Sequence, residues 1–518
     1  MSLSPGTRLG LSAVTAQIDD AGMGEAYQTR DTTLDRRVAL SEYDRMSNDL
    51  TPASRSRCRH SSSDRSGMFE DLNSMGKEPP VNTAVPRRSV RFISRASLTS
   101  VIVGLLAVSL MGAVVPLGTP EDVGLSAERL QRIHQVIQRA IDANEISGAV
   151  TIVARRGHIA HFEAQGLMDI DARTPMRKDT IFPIASMSKP ITGVAVLMLV
   201  EEGKVRLSDP VSRYIPEFRD TKVAIPKPVS RGAGARSRGQ AAEAPDIYTV
   251  PANRDITVRD LLTHTSGLGS GGAAASETAR IAPRRSSDNL ANYIPTLGAA
   301  PLDFQPGTQW AYSGLAGIDT LGRIVEVASG LTFDEFLRQR IFEPLGMQDT
   351  AFFPTEDRMP RVVTLYSRTP NGLVRREVPG WVDTKTLFSG GGGLWSTVED
   401  YLQFAQMLVN NGELGGTRLL GLRTVDLMAS NHVGDLFANA GATGGRAGMG
   451  FGLTVDVVLD AVEARQHRST GSFGWGGAFG TNFWVDRKEQ MAAVLMVQTP
   501  GGSLRADFQN AVMQAIIE

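Results

Sequence analysis

Residues 119–518 are expected to form one α/β domain of the α+β kind, an antiparallel sheet flanked by helices with a helical subdomain inserted partway along the chain. Three observations predict this. AERLQRIHQVIQRAIDAN (127–144) places Leu130, Ile133, Val136, Ile137 and Ile141 at helical spacing. SGAVTIVARRG and HIAHFEAQG follow directly as two strands, with Arg155-Arg156-Gly157 as their turn. Further apolar strand-like runs, TNFWVD and MAAVLMVQT among them, return only between about 450 and 497, before a closing helix at 503–517. The first helix and hairpin are expected to pack with these late strands and the closing helix, with the helical subdomain inserted between Lys189 and about Ser389.

Upstream of this domain the chain changes character. Residues 1–95 are rich in Ser, Arg, Asp and Gly and carry no sustained periodicity, so a disordered tail is expected. Ala96–Gly118 then runs for 23 residues without a charge, behind Arg87, Arg88, Arg91 and Arg95. That length suits a membrane-spanning helix with the Arg side cytoplasmic, or the apolar core of a signal peptide if translation starts at Met68 or Met75. Either reading places the domain outside the cytoplasm, periplasmic or extracytoplasmic, with the membrane as partner through 96–118. Within the domain, RGAGARSRGQAAEAP (231–245) reads as a polar insertion loop and SGGGG (389–393) as a hinge-like turn.

Composition narrows the function. The net charge is −1, which offers no general attraction to nucleic acid. Basic residues comprise 46 Arg and only 8 Lys, and Arg does not act as a base, so each Lys in an apolar setting counts. The single cysteine, Cys58, excludes an intrachain disulfide. The seven histidines show no His-Glu-x-x-His, and His158 with His161 is too little for zinc, so no cofactor or metal is expected. Gly267-Leu268-Gly269-Ser270-Gly271-Gly272 fits G-x-G-x-x-G, yet it follows a helix-like run instead of a strand and reads as a flexible loop.

Two Ser-x-x-Lys tetrads remain. Ser74-Met75-Gly76-Lys77 lies in a polar stretch, whereas Ser186-Met187-Ser188-Lys189 opens the apolar run SMSKPITGVAVLMLVEEG. On a helix starting at Ser186, Lys189 lies one turn on, with its amine beside the hydroxyl. A serine hydroxyl is a weak nucleophile until a base takes its proton, and a buried amine can be that base. A helix N-terminus adds free N–H groups and a positive field.

With FQPGTQWAYSG (304–314) and Gly474-Trp475-Gly476-Gly477-Ala478-Phe479-Gly480 downstream, the chain from about 119 to 518 resembles the serine β-lactamase and penicillin-binding-protein superfamily. It is most similar to the class C-like family VIII carboxylesterases. Order carries the resemblance as well as content: S-x-x-K first, then a Tyr-Ser pair, then a Trp-Gly-Gly strand, with DITVRDLLTHTSGL (255–268) and GGGLWSTVEDYLQFAQML (391–408) as shared framework. The resemblance implies the β-lactamase/transpeptidase-like fold. It also makes Ser186 the acylated nucleophile, Lys189 its proton acceptor and Tyr312 the group that shuttles a proton to the leaving group. The backbone N–H groups of Ser186 and Ala478 would form the oxyanion hole. Trp475, Gly476 and Gly477 would line the substrate site, the glycines letting the backbone come close.

Departures from the lactamase pattern bear on substrate. Trp475-Gly476-Gly477 stands where those enzymes have a Lys-Thr-Gly whose Lys binds a carboxylate, and Tyr312-Ser313-Gly314 stands where they have Tyr-x-Asn. An apolar Trp in place of a cation suits small acyl esters better than a β-lactam-like substrate. Ser287-Asp288-Asn289 matches another lactamase element by letter but reads as a helix N-cap before LANYIPTL. The expectation is a serine hydrolase of the carboxylesterase kind. A β-lactamase or D-alanyl-D-alanine carboxypeptidase is the alternative within enzymes, and a catalytically silent cell-wall-ligand binding domain the alternative outside them. His264, in His-Thr-Ser-Gly, leaves open a Ser-His-Asp hydrolase, although no G-x-S-x-G elbow occurs.

Overall fold

The first hairpin is the heart of the sheet. In the computed structural model β1 (Gly148–Arg155) and β2 (His158–Asp169) flank Arg156 and Gly157, which both have positive φ, 50° and 77°, as a two-residue hairpin turn requires. The structure describes residues 115–228, 245–380, 385–441, 444–499 and 502–518, together with the backbone of four short N-terminal strands. After β3 (Thr174–Pro175) the sheet is completed by β4 (Met449–Phe451), β5 (Asp456–Val458), β6 (Phe473–Gly476), β7 (Asn482–Asp486) and β8 (Met491–Val497). Its order is β4-β5-β6-β7-β8-β1-β2-β3, with antiparallel neighbours throughout. β8 beside β1 brings late strand and early hairpin together, as expected from the sequence.

β1 and β8 are buried along their whole length because both faces are covered. Successive side chains alternate between two cores. Val153, Leu495 and Trp484 pack against α1 (Ala127–Asp142) and α6 (Leu504–Met513) through Ile133, Ile137, Phe508 and Val512. Val150, Ile152, Val494 and Met496 face the other way, toward α2 (Ser188–Glu201) and α5 (Val398–Val409), with Phe404 and Leu197 in the same core. Between α2 and α5 the insertion supplies α3 (Leu290–Leu297) and α4 (Ala316–Ser329), as well as the hairpin Lys222–Pro226 and Ile247–Pro251. α1 opens on a Ser126 cap whose side chain accepts from the Arg129 N–H, and its apolar stripe is the one its spacing predicts.

Several boundaries differ from expectation. The closing helix stops at Met513, and the chain after it runs back past Gly124, where Leu125 bridges Ile516 and Arg155 donates to the Glu518 carbonyl at 2.6 Å. Val115–Gly118, the end of the apolar segment, lie along β2: Ile159 N–H donates to the Pro116 carbonyl at 2.8 Å, Gly118 N–H donates to the Ile159 carbonyl at 3.0 Å, and Val115 is buried. In the tail, Arg8–Leu9, Ser12–Asp19, Ala26–Asp31 and Arg36–Ser41 pair in sequence order as antiparallel strands. Val14, Ala16 and Ile18 alternate there, a period-2 signal diluted by polar neighbours. Residues 96–114, Cys58, the Ser74–Lys77 tetrad and insertion residues 229–244 lie outside the described residues. Among the described residues no helix is long and apolar enough to cross a membrane.

Candidate active site

Ser186 sits in a single 3₁₀ turn, Ala185–Met187, that runs into α2 at Ser188, so the expected helix start at Ser186 is a tighter turn than an α-helix. The turn leads straight into α2, where residues three apart share a face, and this brings the Lys189 amine beside Ser186. Ala185 has φ 45°, a left-handed conformation that costs a residue with a Cβ free energy and marks the turn as held by its surroundings. α2 is apolar around nearly its whole circumference and buried from Ser188 to Leu199, and this encloses Lys189 as well, at 0% exposure. Its Nζ lies 3.1 Å from Ser186 Oγ and donates to the carbonyls of Gly314 and Gly391, each at 2.6 Å.

Tyr312 approaches from the other side, with its Oη 2.7 Å from Ser186 Oγ. The next residue fixes it. Ser313 is buried, its Oγ donates to the Leu268 carbonyl at 2.7 Å, and its N–H donates to His264 Nδ1 at 3.2 Å. An Nδ1 that accepts leaves the imidazole proton on Nε2, which has no partner among the described residues. His264 is packed against the rings of Tyr312, Phe451 and Trp310. Burial, and then the charge of Lys189, hold its pKa well below the usual histidine value. A neutral ring with Nδ1 occupied by backbone and no bond to Ser186 is not the base of a Ser-His-Asp triad; it is the structural hydrogen-bonder of the Tyr312 segment.

The Trp-Gly-Gly segment ends β6 and turns beside Ser186. Gly477 N–H donates to the Thr481 carbonyl at 2.8 Å, and Gly480 N–H donates to the Gly477 carbonyl at 3.1 Å. A Cβ on Gly477 would come within 2.4 Å of the Ile184 carbonyl and 2.1 Å of Thr481 Oγ1, so only glycine lets this turn press against the chain entering Ser186. Among the described residues the N–H groups of Ser186 and Ala478 have no backbone acceptor, as donors reserved for a substrate would not. The Trp475 ring lies 5.7 Å from that of Tyr312 and 5.3 Å from that of Phe451, an aromatic wall beside the serine.

Two residues of the site were not singled out from the sequence. Asp319, fully buried on α4, accepts from the Gly391 N–H, the Ser389 hydroxyl and Arg284. As one of two acids, with Glu326, within the apolar run 315–329, it carried a signal that a search for buried charges would have found. Arg505, on α6, donates to the Gly477 carbonyl at 2.5 Å and to the Gly480 carbonyl at 3.3 Å. Desolvation pulls its guanidinium down to about 10, partly offset by the Tyr312 oxygen, and it stays charged at neutral pH. Nothing local distinguishes it from the other 45 arginines. The glycine turn beside Ser186 therefore does carry a cation, supplied by the closing helix and not by the strand.

The weaker motifs resolve into structural features. Asp303 pins the 267–272 loop by accepting from Ser270 N–H, Ser270 Oγ and Ala274 N–H, so the glycine-rich loop is held and not flexible. Asn289 caps α3 in a reciprocal box with Asn292. His161 bonds Thr151 and His158 the Arg156 carbonyl, and no metal-binding cluster occurs among the described residues.

An antiparallel sheet between helical layers, with a Ser-Lys-Tyr cluster where the sheet meets the helical insertion, defines a serine hydrolase of the β-lactamase/transpeptidase-like class. Comparison with known proteins agrees. The family model described as Beta-lactamase matches residues 133–516, and the chain belongs to that family. It is similar to Protein Rv1367c of Mycobacterium tuberculosis, 35% identical over 370 residues covering 70% of this chain and 88% of the relative. Esterase EstB of Burkholderia gladioli is 30% identical over 414 residues, 76% of this chain and 96% of its own. Among solved structures, EstCE1, a hydrolase with promiscuous acyltransferase activity, superposes with a TM-score of 0.62 at 26% identity, covering 74% of this chain and 99% of the other.

Proposed function

We propose that the protein is an esterase that cleaves small acyl esters through an acyl-enzyme on Ser186. The observation that carries this reading is the convergence of Lys189 Nζ and Tyr312 Oη on the Ser186 hydroxyl, at 3.1 and 2.7 Å. In its neutral form the Lys189 amine has two N–H bonds for the Gly314 and Gly391 carbonyls and a lone pair left for the serine proton. Ser186 Oγ then attacks the ester carbonyl carbon as its proton passes to Lys189. The N–H groups of Ser186 and Ala478 take the oxyanion. Tyr312 protonates the departing alkoxide and is reprotonated from Lys189, leaving the acyl group on Ser186. Water attacks that acyl carbon, its proton passing to Tyr312 as the Tyr312 proton passes to Lys189, and collapse releases the acid as Lys189 returns a proton to Ser186 Oγ.

The aromatic wall of Trp475, Tyr312 and Phe451 supports an uncharged acyl or alcohol group. The similarity to EstB and EstCE1 supports ester chemistry. Arg505 favours a second reading, a β-lactamase or D-alanyl-D-alanine carboxypeptidase, because it places a cation beside the Gly477 turn. Its hydrogen bonds to the Gly477 and Gly480 carbonyls make it a brace for the turn and leave the ester reading ahead. The test compares kcat/KM for a short p-nitrophenyl ester and a chromogenic cephalosporin on one preparation, with the labelled residue mapped after fluorophosphonate treatment. Ester turnover should dominate, with the adduct on Ser186. Equal or better cephalosporin turnover would assign the protein to the β-lactamases.

The site is further proposed to work outside the cytoplasm, on the strength of the uncharged segment 96–118 and the four arginines before it. Fractionation of cells carrying the full chain tests this, with recovery of intact protein in the soluble cytoplasmic fraction as the contrary result.

A further inference from the structure

Lys189 is held by backbone and not by a side-chain amide, and one of the two carbonyls belongs to a run of four glycines, Gly390–Gly393. Such a run has the widest conformational freedom a chain can have, yet here it is buried and tied at several points. Thr192 of α2 donates to the Gly390 carbonyl at 2.9 Å, and Gly393 N–H donates back to the Ser389 carbonyl at 2.8 Å. The stretch read from sequence as a hinge is a clamp.

We propose that Asp319 is the positioning residue that sets this clamp and, through the Gly391 carbonyl, the place of the Lys189 amine; the inference rests on the Ser186–Lys189 reading above. Asp319 Oδ1 accepts from the Gly391 N–H at 2.9 Å and from Ser389 Oγ at 2.7 Å, while Oδ2 takes Arg284 at 2.5 Å. The carboxylate therefore faces three donors and no acceptor. The Gly391 N–H shares its peptide plane with the Gly390 carbonyl held by Thr192, so that plane is pinned from both sides, and the Gly391 carbonyl of the next plane meets Lys189 Nζ at 2.6 Å. The approach is too close for any side chain: a Cβ on Gly391 would lie 2.9 Å from Leu315 Cα and 3.1 Å from the Gly314 carbonyl oxygen, the second acceptor of the same amine. The two backbone segments whose carbonyls orient Lys189 are thus in close contact, and Asp319 on α4 anchors the Gly391 one. Arg284, stacked over Tyr293 of α3 at 5.1 Å, is the cation paired with the fully buried Asp319 side chain.

The chemistry of an amide at this position makes a clean test. In the full chain, Asp319→Asn keeps the shape but must turn an NH₂ toward one set of donors. The Arg284 cation will claim the oxygen, leaving the NH₂ against the Gly391 N–H and the Ser389 hydroxyl, and the clamp loses its anchor. The expected result is a folded protein whose kcat on a p-nitrophenyl ester falls about 10–100-fold with KM within about 3-fold, since only transition-state positioning is lost. Ser186 labelling by a fluorophosphonate should slow in parallel. Asp319→Leu combined with Arg284→Met removes both charges together, guarding against a variant that fails only because a buried cation is left unpaired, and should show the same split. Either variant folded with wild-type kcat would overturn the proposal, as would a loss confined to KM. Absence of Ser186 labelling in the unaltered chain is a separate result, which would remove the nucleophile assignment itself.

Discussion

Tyr312 Oη stands 2.7 Å from Ser186 Oγ across 126 residues of sequence, and Lys189 meets the same oxygen from within its own turn. Two groups able to move a proton on one nucleophile make the catalytic step separable from binding. Ser186→Ala should abolish hydrolysis of short p-nitrophenyl esters. Lys189→Ala and Tyr312→Phe should each lower kcat by about 10²–10⁴ with little rise in KM, the usual size of general acid–base help. Steady-state kinetics on the three variants checks this, and near wild-type turnover by Ser186→Ala would end the mechanism.

His264 should behave as structure. His264→Asn retains an oxygen able to accept from the Ser313 N–H, so kcat is expected to stay within about 10-fold of wild type, where a Ser-His mechanism requires a loss of about 10³ or more. Its titration belongs to stability. Burial depresses the pKa of His264 well below 6.5 and, aided by Lys178 and His134 but opposed by Glu163, that of His161 to about 4. A histidine with a lowered folded-state pKa contributes fully above the unfolded value near 6.5, and that contribution is lost as pH falls through the window toward about 4. Thermal melts from pH 7 to pH 4 should show the decline, and it should shrink in His161→Gln.

Asp400 predicts the opposite slope. Its carboxyl is buried on α5 against Thr350 Oγ1 and the Asp349 N–H, and desolvation raises its pKa to about 7. Because the folded-state value lies above the unfolded one, the stability tied to its proton is complete below about 4 and disappears as pH rises through 7. Asp400→Asn keeps an acceptor for both donors without the charge. Melting temperature should rise at pH 8, by no more than about 4 kcal/mol in stability, and change little at pH 4. A variant equally stabilised at both pH values would rule out the buried charge as the cause.

The domain boundary offers a fourth prediction. Val115 is buried and the 116–118 backbone exchanges two hydrogen bonds with Ile159, so a chain starting at Val115 should be more stable than one starting at Thr119. Losing one buried Val side chain alone is worth about 1.5–3 kcal/mol. Chemical denaturation of the two chains measures the difference, and equal midpoints would show that the strand-like edge contributes nothing.

Much of the architecture was legible because its signals are local. Ile133 and Ile137 advertise α1 by spacing, Arg156-Gly157 the hairpin after it, and Asn289 caps α3 in the manner its letter suggests. Ser186 and Lys189 were legible for the same reason: three residues apart on one turn, their proximity is set by backbone geometry. Tyr312, Trp475 and Ala478 were found through the order of motifs, but their distances to Ser186 depend on how β6 and the insertion pack. What only the tertiary structure decided is the surroundings of the amine. Asp319, Ser389, Gly391 and Arg505 act through space from α4, the glycine clamp and α6, and their partners lie tens to hundreds of residues away. No local pattern encodes such contacts. A buried charge is tolerated only where its partners have already been brought together, and that assembly is a property of the packed chain.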